Sequence, residues 1–179
     1  IDGKLDDAAW KSADEYTKYY ESLPFTLNEP KDFQKVLILE DEKGIYLGFI
    51  NKQDKETIRA NRHERDDEMA NADKAGLAID FDGDGLAAYA FTVSAGGSIA
   101  DGIYRNENEV NYDWDADWKS GVFIDQDYWY AEMFIPWSIA PMKAVNGDFR
   151  EVKLSFWRLL AAEWRVNTCL LYTSDAADE

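Results

Sequence analysis

The sequence predicts an all-β domain, an antiparallel β-sandwich of eight or nine short strands. Three observations predict it. Apolar residues alternate with polar ones over short segments, turn-forming residues separate these segments, and no long segment has the apolar spacing of a helix. A chain of 179 residues is long enough to bury a substantial core in one such domain.

The central segment, residues 73–101, shows this alternation most clearly. Every second residue in its two arms is apolar: Ala75, Leu77, Ile79 and Phe81 in the first, and Tyr89, Phe91 and Val93 in the second. A period of two gives each arm one apolar face to bury. The acidic, glycine-containing stretch 80–85 predicts a tight turn between the arms, and Gly96 and Gly97 predict another. The segment is therefore expected to form a three-stranded meander.

The segments before the meander predict one hairpin with irregular flanks. Residues 1–10 are expected to form a turn and a short helical turn that docks Trp10, with Asp6 near its N-cap. The other expectations are an edge strand at 16–20, paired strands at 35–40 and 45–50 joined by a turn with Gly44 at positive φ, and a long loop with one helical turn at 51–72.

The segments after the meander predict further strands and one surface loop. The acidic, Trp-rich stretch 106–119 is expected to be the loop. The remaining expectations are a hairpin of 122–125 with 129–135 ended by Pro136, a helical turn at 137–140, and strands at 151–157 and 163–166.

Charge and aromatic content narrow the classes of ligand. The formal net charge is −17, and such a field repels phosphate backbones and anionic lipid surfaces, so neither nucleic acid nor a membrane surface is an expected partner. No apolar run approaches the roughly 20 residues of a membrane span. The field suits a divalent cation or a neutral ligand. Aromatic residues make up 15% of the chain, and they point either to flat ligands such as sugar rings or to core packing.

The last eleven residues, 169–179, are expected to be foreign to the domain. Their sequence, CLLYTSDAADE, resembles the translation of a common sequencing adapter. On this interpretation the chain is a metagenomic fragment, its native domain is 1–168, and Cys169 is not a native residue.

Six motifs occur in an order that resembles the family 9 carbohydrate-binding-module-like domain. The likeness is greatest to the subgroup at the N-terminus of large bacterial proteins that continue into an outer-membrane-type barrel. The motifs are IDGKLDDAAW (1–10), KVLILEDEKGIYLGF (35–49), RDD (65–67), the 73–101 segment, WDADW (114–118) and YAEMFIPWS (130–138).

The resemblance has implications for fold, location and activity. It implies a jelly-roll or immunoglobulin-like sandwich, an extracytoplasmic location, no catalytic activity, and a covalently linked C-terminal domain that this chain lacks. Some members of the family bind sugars and carry structural calcium. In sugar-binding members a Trp precedes the central strand, an Arg follows the central turn, and a second Trp lies near the C-terminus. The first two positions fall near Ala70 and at Thr92 here, and neither carries the family residue.

Two acidic clusters are candidate sites, each with a structural alternative. Asp80, Asp82 and Asp84 have the spacing of the first half of a calcium loop, and the alternative is a solvated hairpin turn. The WDADW motif carries the ligand-site candidates. In the functional interpretation, its carboxylates bind the hydroxyl groups of a sugar and its indoles stack on the sugar ring. In the structural alternative, the indoles fill one end of the sandwich. These candidates are Trp114, Asp115, Asp117 and Trp118.

Three functions are therefore open from the sequence. The first is a non-catalytic module that binds a neutral oligo- or polysaccharide, in a protein of polysaccharide catabolism. The second is a structural or interaction domain that has lost the sugar site. The third is a glycoside hydrolase using carboxylates such as Asp115 and Glu132. Among the other acids, Arg65 is expected to pair with either Asp73 or Asp101, because buried acids need a basic partner.

Overall fold

Two antiparallel sheets form the molecule. The structure, a computed structural model, describes residues 1–105, 109–144 and 149–171. Twelve strands lie within them: β1 (Asp14–Tyr16), β2 (Tyr20–Leu23), β3 (Gln34–Glu40), β4 (Gly44–Lys52), β5 (Lys74–Asp80), β6 (Tyr89–Ser94), β7 (Ile99–Arg105), β8 (Glu109–Asn111), β9 (Lys119–Ile124), β10 (Tyr128–Pro136), β11 (Lys153–Leu160) and β12 (Arg165–Leu171). Three short 3₁₀ helices accompany them: Ala8–Ser12, Lys55–Thr57 and Trp137–Ile139.

The sheet orders place the meander at the centre of one layer. The five-stranded sheet has the order β1-β3-β4-β10-β9, and the seven-stranded sheet has the order β2-β12-β11-β5-β6-β7-β8. All neighbouring strands are antiparallel. The predicted fold class is confirmed. There are more strands than expected because β1, β2 and β8 are only three or four residues long, too short to show alternation.

The core lies between the two sheets. Leu77, Phe91 and Phe156 enter it from the seven-stranded sheet, and Phe49 and Met133 enter it from the five-stranded sheet. All five are at most 1% exposed. Full burial of such side chains contributes about 1.5–3 kcal/mol each, and the alternation in the central segment therefore identified real core positions.

The long-range pairing corrects two local expectations. The single edge strand expected at 16–20 is wrong, because β1 belongs to the five-stranded sheet and β2 to the seven-stranded one. The expected positive φ of Gly44 is also wrong. Glycine is needed there because a Cβ would lie 2.3 Å from the carbonyl oxygen of Ile135 on β10. Close approach of a neighbouring strand, which no local pattern reveals, is the physical reason.

Strand β12 runs past the boundary that the sequence predicts at residue 168. It pairs with β11 as far as Leu171, and Cys169 is 2% exposed in the core. The rest of the expected foreign segment, 172–179, lies outside the described residues, so the boundary stays a prediction. Within the described ranges, no helix has the length and apolar character that a membrane crossing requires.

Candidate functional site

The turn that resembles a calcium loop is held by hydrogen bonds and ion pairs. Asp80 Oδ1 accepts from the backbone N–H groups of Asp82 (3.1 Å) and Gly83 (3.0 Å), and its Oδ2 accepts from that of Gly85 (2.7 Å). Arg150 Nη1 lies 2.7 Å from Asp82 Oδ1, and Lys143 pairs with Asp84. No group of three or more His, Cys, Asp or Glu residues is placed to hold a metal in the ranges described. These partners favour the hairpin-turn alternative for Asp80, Asp82 and Asp84, and calcium binding stays a prediction.

The indoles of the WDADW motif pack into the sandwich. Trp118 is 6% exposed, and its ring centroid lies 5.4 Å from that of Phe91. Trp114 is half-buried, with its centroid 5.0 Å from that of Tyr89 and 6.0 Å from that of Phe91. A sugar needs a free ring face, which Trp118 does not have. The packing of Trp118 favours the structural alternative, Trp114 keeps part of its ring exposed, and sugar binding by the motif stays a prediction.

The acids of the motif have different surroundings from the indoles. Asp117 is exposed. Asp115 Oδ1 lies 2.9 Å from Arg65 Nε, and Arg65 Nη2 lies 2.5 Å from Asp101 Oδ1. The pairing of Arg65 with Asp101, one of the two expected, is thus present. Asp66 completes this Arg65 cluster, with its Oδ2 at 3.6 Å from Arg65 Nε. Burial, together with the charge of Asp101, raises the pKa of Asp66.

Glu132 lies on β10 in the five-stranded sheet and anchors the N-terminal segment. It is 3% exposed, and its Oε2 accepts from the backbone N–H groups of Asp2 (2.8 Å) and Gly3 (3.2 Å). Asp115, by contrast, lies beside Arg65 and β7. Glu132 and Asp115, the two carboxylates named for the hydrolase hypothesis, therefore have different partners. Glu132 binds the N-terminal segment, and Asp115 pairs with Arg65.

A pocket on the outer face of the seven-stranded sheet was missed as a site by the sequence analysis. It has a volume of about 190 Å³. Its floor comes from side chains of β5, β6 and β11, and its rim comes from residues 63–68 and Tyr112. We call it the Trp157 pocket, and its main lining residues are His63, Glu68, Lys74, Thr92, Ser94, Ser98, Tyr112 and Trp157.

Strand alternation explains why Trp157 faces outward. On β11, Phe156 and Arg158 are buried toward the core, so Trp157 projects from the opposite face. It pairs with Gly76 on β5, where a Cβ would lie 2.6 Å from the indole Cζ2. Glycine at this position therefore lets the indole lie close against the strand. The sequence of residues 153–160 did not reveal this, because the buried Arg158 and the apolar Trp157 and Leu159 run against the usual alternation.

Hydrogen bonds hold the rim loop over the sheet. Lys74 Nζ donates to the carbonyl oxygens of Glu68 (2.7 Å) and Asp67 (3.3 Å). Ser98 Oγ donates to the His63 carbonyl oxygen (2.8 Å) and accepts from the His63 N–H (2.9 Å). His63 Nε2 is buried and has no hydrogen-bond partner among the described residues. The pocket thus offers one ring face and several polar atoms within a preformed wall.

Burial perturbs two titratable groups of the pocket. It lowers the pKa of Lys74, and the nearby charges of Asp67 and Glu68 oppose this effect. It raises the pKa of Tyr112 to about 12, and the charge of Glu68 acts in the same direction. The pocket therefore contains the Lys74 amino group and, at neutral pH, the neutral phenol of Tyr112, and the phenol can both donate to and accept from hydroxyl groups.

Alkaline pH is expected to destabilise the protein partly through Tyr112. The folded chain keeps the phenol proton up to about pH 12, whereas the unfolded chain releases it near 10.0. The contribution to stability is therefore complete below pH 10.0 and is lost as pH rises toward 12. Urea unfolding across this range should show a smaller loss for Tyr112→Phe than for the wild type. Parallel pH profiles of the two proteins would contradict this assignment.

One of the two positions that the family resemblance associates with sugar lies in the pocket. Thr92, which stands where sugar-binding members carry an Arg, lines the pocket. Ala70, near the position of the missing Trp, lies just after Asp67 and Glu68 in the rim loop. The surroundings are nevertheless this chain's own, with Trp157 and Tyr112 as the rings and Lys74 as the cation.

Comparison with solved structures identifies the same architecture. A family 9 carbohydrate-binding module from Caldicellulosiruptor kristjanssonii in complex with cellotriose superposes with a TM-score of 0.64 at 15% identity, covering 94% of this chain and 76% of that one. The glucose complex of a family 9 module from the same organism gives 0.63 at 15% identity, covering 94% and 78%. A candidate carbohydrate-binding protein from Bacteroides uniformis gives 0.61 at 12% identity, covering 90% and 81%.

Sequence comparison alone finds no relative. No family model and no curated protein sequence matches the chain. The likeness therefore rests on three-dimensional structure, and it extends over most of both chains in each pair. The chain has the fold of the family 9 carbohydrate-binding modules.

Proposed function

We propose that the protein is a non-catalytic carbohydrate-binding module that holds a neutral saccharide in the Trp157 pocket. The observation that carries the proposal is Trp157 itself, an indole that lines a preformed pocket on the outer face of the seven-stranded sheet. The same pocket also contains hydroxyl, amino and carboxylate groups. Sugar rings stack their C–H faces on such rings, and their hydroxyls need both donors and acceptors. The fold shared with modules solved in complex with cellotriose and glucose supports the same function.

Pocket volume and charge define the class of ligand. A volume of about 190 Å³ suits one sugar ring, such as the end of a chain, more than a long polysaccharide segment. The net charge of −17 disfavours acidic sugars by long-range repulsion. Neutral cello- or xylo-oligosaccharides, bound by a terminal ring, are therefore the proposed ligands. The proposed setting is an extracytoplasmic bacterial protein of polysaccharide catabolism, in which a linked domain supplies any further activity.

Calorimetric titration of the full chain with cello- and xylo-oligosaccharides tests the proposal. We expect Trp157→Ala to weaken binding about 30-fold, the effect of losing about 2 kcal/mol at an aromatic anchor. Trp164→Ala is the matched control, because that indole is 56% exposed and lies outside the pocket lining. Wild-type protein that binds no oligosaccharide, or equal affinities for wild type and Trp157→Ala, would refute the proposal.

A structural or interaction role is the second candidate. The specific observation in its favour is the absence of aromatic and Arg side chains at Ala70 and Thr92, the positions that the resemblance associates with sugar. The same titration separates the two candidates, because a purely structural domain would show no saturable heat with any oligosaccharide.

A further inference from the structure

A second, larger pocket lies where the chain crosses between the sheets. The chain leaves the five-stranded sheet after β1 and enters the seven-stranded sheet at β2. Residues of this crossover and of the segment before β3 enclose about 500 Å³, which is within the range of about 300–1,000 Å³ for small-molecule sites. We call it the crossover pocket, and it shares no lining residue with the Trp157 pocket. Its key residues are Tyr19, Tyr20, Glu29, Asp32, Phe33 and Gln34.

Exposed rings and carboxylates form the walls of the crossover pocket. Tyr20 is 47% exposed and Phe33 is 45% exposed. Leaving large rings open to water forgoes burial energy, so a pair of them on one pocket is a candidate binding surface. Glu29 and Asp32 add carboxylate oxygens, which accept hydrogen bonds from a ligand's hydroxyl groups.

The floor contains a buried amide with an unused donor. Gln34 is 3% exposed, and its Oε1 lies 3.5 Å from the Nδ2 donor of Asn167 on β12. Its Nε2 is buried and has no hydrogen-bond partner among the described residues. A buried donor without a partner is unfavourable, and because Gln34 lines the pocket, an oxygen acceptor bound there would lie beside this amide.

Further unused donors continue behind Gln34. Gln34 pairs with Asn51 on β4, and Asn51 pairs with Trp129 on β10, so the three residues form one row across the five-stranded sheet. Arg158 and Asn167 form a facing row on β11 and β12. In the chain as described, buried atoms without a partner in these rows comprise five donors and one acceptor: Gln34 Nε2, Asn51 Nδ2, Trp129 Nε1, Arg158 Nε, Arg158 Nη1 and Asn167 Oδ1.

The buried donors behind Gln34 do not require an anion. Arg158 Nη2 donates to Gln53 Oε1 (2.8 Å), and Gln53 Nε2 donates in turn to Asp73 Oδ2 (2.8 Å). The buried guanidinium is thus linked through one amide to a buried carboxylate of opposite charge. Burial lowers the pKa of Arg158 to about 10, and the charges of Asp32 and Asp73 oppose the shift. Of the residues in these two rows only Gln34 lines the crossover pocket, so it is the one that brings an unused donor to the pocket floor, among the residues described.

We propose that the crossover pocket is a second binding site, for a short neutral saccharide. Gln34 in its floor has an unused donor, the carboxylates of Glu29 and Asp32 accept hydrogen bonds, and the two exposed rings offer apolar faces. Polyhydroxylated rings satisfy all three requirements at once. The lining has two carboxylates, Glu29 and Asp32, against one ammonium side chain, Lys18, and this excess together with the net charge disfavours anionic sugars. With two separate pockets, one copy of the domain would hold two saccharide chains or two places on one chain.

Titration of the full chain with cellotriose and xylotriose tests the second site. We expect a stoichiometry of about two, reduced to about one by Trp157→Ala, with the remaining binding weakened about tenfold by Tyr20→Ala or by Phe33→Ala. Gln34→Leu is expected to weaken the same remaining binding. Because a change at this buried position can also affect folding, the test is decided by Tyr20→Ala and Phe33→Ala, which alter exposed rings.

The outcomes separate this site from the proposed function. Binding that survives Trp157→Ala and is weakened about tenfold by Tyr20→Ala and by Phe33→Ala establishes the crossover pocket. It does so even where Trp157→Ala changes nothing and the Trp157 site fails. Binding that Trp157→Ala abolishes, or that Tyr20→Ala and Phe33→Ala leave unchanged, overturns the second site. The second site is also overturned if the protein binds neither cellotriose nor xylotriose.

Discussion

Replacing Asp73 with alanine is expected to lower the free energy of unfolding by about 3–5 kcal/mol. Asp73 is 0% exposed and precedes β5. Its Oδ1 accepts from the Ala161 N–H (2.7 Å), and its Oδ2 accepts from Gln53 Nε2 (2.8 Å) and the Arg59 N–H (2.9 Å). One carboxylate therefore joins Gln53 just after β4, Arg59 in the loop between β4 and β5, and Ala161 in the turn after β11.

The size of the effect follows from what the substitution leaves behind. Alanine at position 73 leaves the backbone N–H groups of Ala161 and Arg59 without their acceptor, and Gln53 Nε2 keeps only the Thr57 carbonyl oxygen (3.3 Å). It also removes one of the carboxylates, with Asp32, whose charge acts on the buried Arg158 guanidinium. Urea denaturation with a linear extrapolation measures the difference. The control is Asp127→Ala, at an exposed side chain, for which we expect a change within about 0.5 kcal/mol. Equal unfolding free energies for the two variants would show that the Asp73 bonds contribute nothing net.

Replacing Arg65 with methionine is the second substitution with a large expected effect, about 3 kcal/mol. The Arg65 side chain is itself 37% exposed, but its partner Asp101 is 0% exposed. Without Arg65, Asp101 keeps the Ala116 N–H (2.7 Å) as a donor to its carboxylate and loses the opposite charge. The cost arises at the buried partner, because an uncompensated charge there has little access to water.

A double variant tests whether the loss of stability comes from the buried charge of Asp101 or from the lost packing of the Arg65 side chain. Arg65→Met combined with Asp101→Asn should recover a large part of the loss, because the asparagine oxygen still accepts from Ala116 and no buried charge remains. Lys35→Met is the matched control for an exposed pair. Lys35 Nζ lies 3.0 Å from Glu15 Oε2, the Glu15 side chain is 57% exposed, and the expected change is about 0–1 kcal/mol. A double variant no more stable than Arg65→Met alone would contradict the argument.

The sequence predicted the strands correctly wherever apolar and polar residues alternate over many positions. Phe91 and Val93 could be assigned to the core because several apolar positions repeat at a period of two on each arm of the meander. The membership of β1 and β2 in different sheets could not be predicted, because three or four residues carry no usable period. The glycine requirement at Gly44 was equally invisible, since it depends on a strand that lies about ninety residues later in the chain.

The candidate sites were less predictable than the fold for a physical reason. An indole in an irregular segment, such as Trp118, has no periodicity to indicate whether it faces the core or water. Trp157 lies in a strand, but its outward direction could not be predicted, because the neighbouring core-facing position is Arg158, a residue type expected at the surface. The crossover pocket could not be inferred, because Tyr20, Phe33 and Gln34 meet only after β2 joins the seven-stranded sheet.

The partner of β2 has a consequence for the order in which the molecule can assemble during synthesis. Strand β2, residues Tyr20–Leu23, pairs with β12, residues Arg165–Leu171, so about 145 residues separate two neighbours in the sheet. A nascent chain that has emerged only as far as the meander has no edge for β2 to join. The contact must therefore form late, after loop closure over most of the domain, and contacts of this kind slow folding. The crossover pocket, which borders β2, would be among the last features to appear as the chain leaves the ribosome.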